Sequence, residues 1–251
     1  MQYGICHLSI VPVRLSTDDS SEMVTQLIYG DHFKVLEQRK HWSRIRIAYD
    51  SFEGWINNKQ FTLISETDFK TIESTKIQKF SADLVSFVSS ENGTLIPIVL
   101  GSDITHSKNL LLNNFEGNSI SEKQPKETFI ETALLYLNAP YFWGGKTPFG
   151  VDCSGFTQMV YKINGHKLLR NAAQQATQGE PLSFIEESEP GDLAFFDNHE
   201  GIIDHVGIIM KNNYIIHAHG KVRIDRIDHT GIFNTEIKNY THKLRVIKKI
   251  V

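Results

Sequence analysis

Two cysteines and eleven histidines are the residues of this 251-residue chain best suited to covalent chemistry near neutral pH. Cys153 lies in Gly150-Val151-Asp152-Cys153-Ser154-Gly155-Phe156, at the predicted start of a helix that runs to Ile163. A thiol is a weak nucleophile until it is deprotonated, and the partial positive charge at a helix N-terminus lowers its pKa. A nearby imidazole would stabilise the thiolate and supply the proton that a leaving amine needs. His205 begins a predicted strand 52 residues later, and His217 ends the next strand 12 residues further on. Neighbouring antiparallel strands would hold the two imidazoles side by side, one orienting the other. That is the nucleophile, base and orienter logic of the cysteine and serine hydrolases.

Each of these residues also has a plainer reading. A cysteine at a helix start is most often a small buried apolar residue, and most histidines are ordinary surface or core residues. A zinc site built from Cys153, His205, His217 and His219 is conceivable, but it lacks the close ligand pairs of structural sites. Cys6 and Cys153, 147 positions apart, make neither a disulfide scaffold nor a metal cluster.

The elements that must position these residues follow from periodicity. Thr128 can cap a helix on which Phe129, Ala133, Leu134 and Leu137 recur at helical spacing. After Gly144-Gly145, Phe156, Met159, Val160 and Ile163 mark one face of the Cys153 helix, with Gly165 as its stop; Ala172 to Gly179 forms another helical turn. Strands follow at Asp192–Phe196, His205–Met210, Tyr214–His217 and Lys221–Ile227. Helices first and strands afterwards predict α+β rather than a doubly wound parallel sheet.

Ahead of this region the chain reads as β. Cys6–Val13, Phe33–Glu37, Trp42–Ala48 and Gly54–Ile56 predict short strands separated by turn residues, as in a small barrel. Ser65–Ser74 fits helix or turn, and Asn92-Gly93 between two alternating runs predicts a hairpin in a second small β domain. The polar stretch Asn113–Lys126 reads as a linker. The expected domains are therefore 1–62, 63–124 and 125–251. With 26 basic and 29 acidic residues the formal net charge is −3, which argues against nonspecific nucleic-acid binding and against adhesion to anionic membranes. The N-terminus predicts no signal peptide and the short apolar runs predict no membrane span, so a soluble, cytoplasmic protein is expected.

Five words in order extend the reading: Ala139-Pro140-Tyr141-Phe142-Trp143-Gly144-Gly145, Asp152-Cys153-Ser154-Gly155-Phe156, Glu189-Pro190-Gly191-Asp192-Leu193-Ala194-Phe195-Phe196, His205-Val206-Gly207-Ile208 and Ile216-His217-Ala218. Over about 125 residues they resemble the NlpC-type peptidoglycan endopeptidases. The resemblance implies a papain-like α+β domain with helices and a small antiparallel sheet. Glu22 to Asp31, with Trp42 and Gly54-Trp55-Ile56, is similar to a bacterial Src-homology-3-like barrel. Two small all-β barrels ahead of the catalytic domain resemble the γ-D-glutamyl-L-diamino acid endopeptidases that recycle wall fragments.

That resemblance implies a substrate with a free L-alanine amine followed by γ-linked D-glutamate, cut at the bond to a diaminopimelate or lysine residue. It makes Cys153 the nucleophile, His205 the general base and acid, and His217 the orienter. It places Tyr141, Asp152 and Ser154 in substrate subsites, and Glu22 opposite the substrate ammonium. Phe52 stands where the subfamily often has tyrosine, and Ala172-Ala173 where a serine is common. Asp225 and the run Asp228–Phe233 read as structural parts of the last turn of the sheet. No metal or organic cofactor is expected. The expected partner is a small murein peptide, not nucleic acid or a membrane, and the chain is expected to be a monomer. The competing expectations are a secreted hydrolase of intact wall and a non-catalytic module that binds wall peptides.

Overall fold

The computed structural model describes residues 1–251 and divides them into two units, 1–123 and 124–251. In the first, β1 (Gln2–Ile5), β2 (Ile10–Arg14), β3 (Met23–Ile28), β4 (His32–Gln38), β5 (Trp42–Ile47), β6 (Glu53–Asn57) and β7 (Thr62–Ile64) form a small β-barrel with strand order β3-β2-β6-β5-β4-β1-β7. The alternation read in β5 decides its faces: Ser43, Ile45 and Ile47 are buried, while Arg44 and Arg46 lie outside and pair with Glu53 on β6. The strand expected over Cys6–Val13 begins only at Ile10. Cys6 instead anchors a turn, its N–H donating to the Asp31 carbonyl and its own carbonyl accepting from the Gly30 N–H.

Next come α1 (Glu66–Ser74), β8 (Lys79–Ser81), β9 (Val85–Ser90), β10 (Leu95–Val99), α2 (Ser107–Leu110), β11 (Asn113–Phe115) and β12 (Ser119–Ser121). A reciprocal cap between Ser65 and Asp68 makes Glu66–Ser74 a helix rather than a turn. The Asn92-Gly93 hairpin joins β9 to β10, with Gly93 at φ +80°. Residues 79–121 make a three-stranded sheet, β10-β9-β11, and a separate β8–β12 ribbon. The stretch from Asn113 is therefore not a linker. Its short strands pair with β9 and β8, and the buried Asn113 amide donates to the hydroxyl of Tyr29, which packs on Val88 and Ile98.

The second unit holds α3 (Thr128–Leu134), β13 (Lys146–Thr147), β14 (Gly150–Val151), α4 (Cys153–Ile163), α5 (Ala172–Gln175), β15 (Glu180–Leu182), β16 (Leu193–Asp197), β17 (Ile203–Met210), β18 (Tyr214–His219), β19 (Lys221–Ile227), β20 (Gly231–Asn234) and β21 (Asn239–Lys249). Thr128 is inside α3 rather than its cap, and its hydroxyl donates to Pro125 and Asn164. Phe129, Ala133 and Tyr136 are buried, whereas Leu134 and Leu137 are exposed. Helix α4 is buried along its length and packs on β17 and β18. The antiparallel sheet runs β15-β21-β16-β17-β18-β19-β20, and β20 also pairs with β21, so six strands close on themselves. Ala194, Phe196, Ile209, Ile215, Ile227, Ile232 and Ile247 fill the enclosed face. No helix is long and apolar enough to cross a membrane.

Candidate active site

Asp152 sets the start of α4. Its carboxylate accepts from the Gly155 N–H at 2.6 Å, capping the helix, and from the Gly144 N–H at 2.9 Å. The buried guanidinium of Arg170 donates to both carboxylate oxygens, at 3.0 and 2.6 Å, and to Ser154 Oγ at 3.0 Å. This clamp fixes the first turn of α4, and with it Cys153. Gly155 admits no side chain, because a Cβ there would lie 2.2 Å from the Gly145 carbonyl oxygen.

Cys153 is 6% exposed and its sulfur lies against β17. The thiol donates to the Asp204 carbonyl at 3.7 Å, and the Val206 N–H is directed at the sulfur, so the residues flanking His205 bracket it. Burial, reinforced by the Asp152 charge, pushes the thiol up to about 12 despite the helix N-terminus. The lowered thiol pKa expected from the helix start is therefore overridden by desolvation. Burial likewise holds His205 well below its ordinary value of 6.5. The resting pair is a neutral thiol and a neutral imidazole.

Strand alternation then builds a relay. His205, His217 and Asp225 occupy the face that also carries Ile209, Ile215 and Ile227. His205 Nε2 is 2.9 Å from His217 Nδ1, and His217 Nε2 is 3.0 Å from Asp225 Oδ2. Arg223 donates to the same carboxylate at 2.7 and 3.1 Å. Burial works against the Asp225 charge, but the bonds from His217 and Arg223 hold its carboxyl below the ordinary range. An ionised carboxylate only accepts, so His217 donates from Nε2 and its Nδ1 must accept. His205 then donates from Nε2, which leaves its Nδ1 lone pair free to take a proton. Burial keeps His217 below its ordinary value in spite of Asp225.

The sequence reading brought Cys153, His205 and His217 forward, and the fold gathers all three. Tyr141, half-buried, lines a cleft together with His205, and burial, reinforced by the nearby Asp152 charge, pushes its hydroxyl up to about 12, so it remains a donor. Asp152 and Ser154 belong to the Arg170 clamp, a structural duty that their motif did not reveal. Glu22 lies in the first unit, exposed in the turn before β3. Asp225, read as structural, is the fourth member of the relay; the register of β18 against β19 brings it there, two positions from the cross-strand partner of His217, and no local pattern in the sequence records that register. His242 on β21 stacks on the His205 ring, centroids 4.0 Å apart and planes at 22°. Parallel rings cannot both aim in-plane nitrogens at one ion, so the trio His205, His217 and His242 is a poor metal chelate despite ligand atoms within 4.8 Å.

A nucleophile on a helix N-terminus, facing histidines on an antiparallel sheet, defines a papain-like hydrolase domain. Residues 138–241 match the NlpC/P60 family, and residues 13–61 match the bacterial dipeptidyl-peptidase Sh3 domain. The chain thus carries an NlpC/P60 hydrolase domain together with a bacterial SH3 domain. It is 25% identical over 229 residues to the gamma-D-glutamyl-L-lysine dipeptidyl-peptidase of Bacillus subtilis, covering 82% of this chain and 75% of that one. It is 26% identical over 231 residues to dipeptidyl-peptidase 6 of Lysinibacillus sphaericus, with 80% and 82% covered. The solved structure of an NlpC/P60 family protein from Bacillus cereus shares the fold over 99% of each chain, with a TM-score of 0.81 at 17% identity.

Proposed function

We propose that this protein is a cysteine peptidase of cytoplasmic murein-peptide recycling. It hydrolyses the γ-D-glutamyl bond to a diamino acid in peptides that begin with a free L-alanine. The observation that carries the reading is the polarised chain from Asp225 through His217 to His205 beside the Cys153 thiol. Relatives named as γ-D-glutamyl-L-lysine dipeptidyl-peptidases support the choice of bond.

In this mechanism Cys153 gives its proton to His205 Nδ1 as its sulfur attacks the γ-carbonyl carbon of D-glutamate. The tetrahedral oxyanion accepts hydrogen bonds from backbone N–H groups at the start of α4, those of Cys153 and Ser154. His205 returns the proton to the amine of the diamino acid, the C–N bond breaks, and a thioester remains. Water, deprotonated by the same imidazole, attacks the thioester and releases the dipeptide and the thiol. Charge that develops on His205 is relayed towards Asp225, whose own charge is fixed by Arg223.

The test is the release of L-Ala-γ-D-Glu from L-Ala-γ-D-Glu-diaminopimelate and from the same tripeptide N-acetylated. Acetylation removes a charge that would make hydrogen bonds worth about 1.5–3 kcal/mol. It should lower kcat/KM by about a hundredfold, which corresponds to roughly 2.7 kcal/mol. A ratio near one would leave a general endopeptidase and remove the recycling role.

A further inference from the structure

The active-site cleft, of about 1200 Å³, has two flanks set by strand order. His205 lies on β17 in the middle. On the β18 side stands Tyr141, whose N–H donates to the carbonyl of Gly220, the residue after β18. On the other side lie β16 and β21, which contribute Asp197, Lys243 and Arg245 to the cleft wall.

Asp197 is the unusual member. Its side chain is 4% exposed, and its Oδ1 is buried with no hydrogen-bond partner. Its Oδ2 is 3.9 Å from the Arg245 Nε. Both neighbouring strands bulge at this point. The register skips Asp204 on β17, where Asp197 pairs with Ile203, and skips Arg245 on β21, where Phe196 pairs with Leu244. Bulges beside active sites commonly redirect a side chain. A buried carboxylate oxygen without a donor asks for one, and a cation supplies it best.

We propose that this flank binds the side-chain end of the leaving diamino acid, with its ammonium on Asp197 and its carboxylate on Arg245 and Lys243. The assignment rests on the reaction proposed above and on taking Tyr141, which the family resemblance implies is a substrate-subsite residue, to hold the alanyl-glutamyl part; the leaving residue then lies towards β16 and β21. A paired acid and base match the terminal amino-acid group of diaminopimelate, which carries both charges on one carbon. Lysine offers the ammonium alone. The enzyme is thereby a diaminopimelyl-preferring peptidase, although named relatives are lysyl peptidases.

The experiment compares kcat/KM for L-Ala-γ-D-Glu joined to meso-diaminopimelate, L-lysine or L-norleucine. The expected order is diaminopimelate above lysine by at least about tenfold, and lysine above norleucine. Asp197→Asn should bring the lysyl rate down towards the norleucyl rate. Arg245→Gln, at a side chain 62% exposed and so tolerant of change, should bring the diaminopimelyl-to-lysyl ratio towards one. Equal wild-type rates on the three peptides, or a ratio unmoved by Arg245→Gln, would overturn the proposal while leaving the reaction in place. If no peptide is cut, the reaction itself is wrong. Titration of the Cys153→Ala chain with meso-diaminopimelate acetylated on the amine of its L centre and with Nα-acetyl-L-lysine then decides the site, and equal or absent binding overturns it.

Discussion

Cys153 and Cys6 are both buried, so exposure does not separate them. What separates them is company. The sulfur of Cys6 sits in the core of the N-terminal barrel and donates to the Leu8 carbonyl, whereas Cys153 is bracketed by the residues flanking His205. Cys153→Ala should abolish turnover with the folded state retained, and Cys6→Ala should leave kcat/KM within about twofold; single-turnover assays with circular dichroism check both. The relay gives a sharper expectation. Asp225 fixes the tautomer of His217 and hence the basic nitrogen of His205, without touching substrate. Asp225→Asn keeps an acceptor but loses the charge, and should lower kcat about tenfold to a hundredfold, or roughly 1.4–2.7 kcal/mol, with KM little changed. Asp225→Ala should cost more. If both variants match wild-type kcat, the relay ends at His217.

Helix α4 can present Cys153 only because its first turn is clamped. Arg170 is 1% exposed on its side chain, and Asp152 supplies the charge that answers it. Asp152→Asn should keep the Gly155 cap yet destabilise the protein by about 3–5 kcal/mol, as breaking a buried ion pair does. The double variant Asp152→Asn/Arg170→Met should recover part of that loss, as measured by urea denaturation. No recovery would mean that the cap, not the charge pair, dominates. Elements of this kind differ in how far their sequence betrays them. Helix α4 and strands β16 to β19 were legible because apolar residues mark their buried faces over several turns or pairs. Strand β21 was not: Asn239–Lys249 is polar and lysine-rich, and only Ile247 is fully buried. Its place is decided by pairing with β16 and β20, which no local pattern records. His242, Lys243 and Arg245 were hidden with it. Asp225 was visible as a residue but not as a partner, because its role depends on the register of β18 against β19. The strands inside Asn113–Lys126 were missed for a related reason, since they are three residues each and polar.

At the scale of the whole molecule, the histidines make folding itself sensitive to acid. His205, His217 and His242 are all held neutral by burial, and His242 is lowered to about 3. In the unfolded chain each would bind a proton below about 6.5. Between that pH and the lower folded values, the unfolded state therefore binds more protons than the native state, and stability falls as pH falls. Each such histidine can contribute a slope of up to about 1.4 kcal/mol per pH unit. Cys153 acts in the opposite limb: its folded value of about 12 lies above the ordinary 9.0, so stability falls again as pH rises past 9.0. Maximum stability should lie on the plateau between these limbs. His242→Phe isolates one contribution, because phenylalanine can keep the stack on His205 but cannot titrate. Urea midpoints at pH 7.5 should differ little between wild type and variant, while at pH 4.5 the variant should be the more stable by about 1–3 kcal/mol. Parallel curves from pH 7.5 to 4.5 would show that His242 binds its proton as readily in the fold as outside it, and the acid limb would then have to be assigned to other groups.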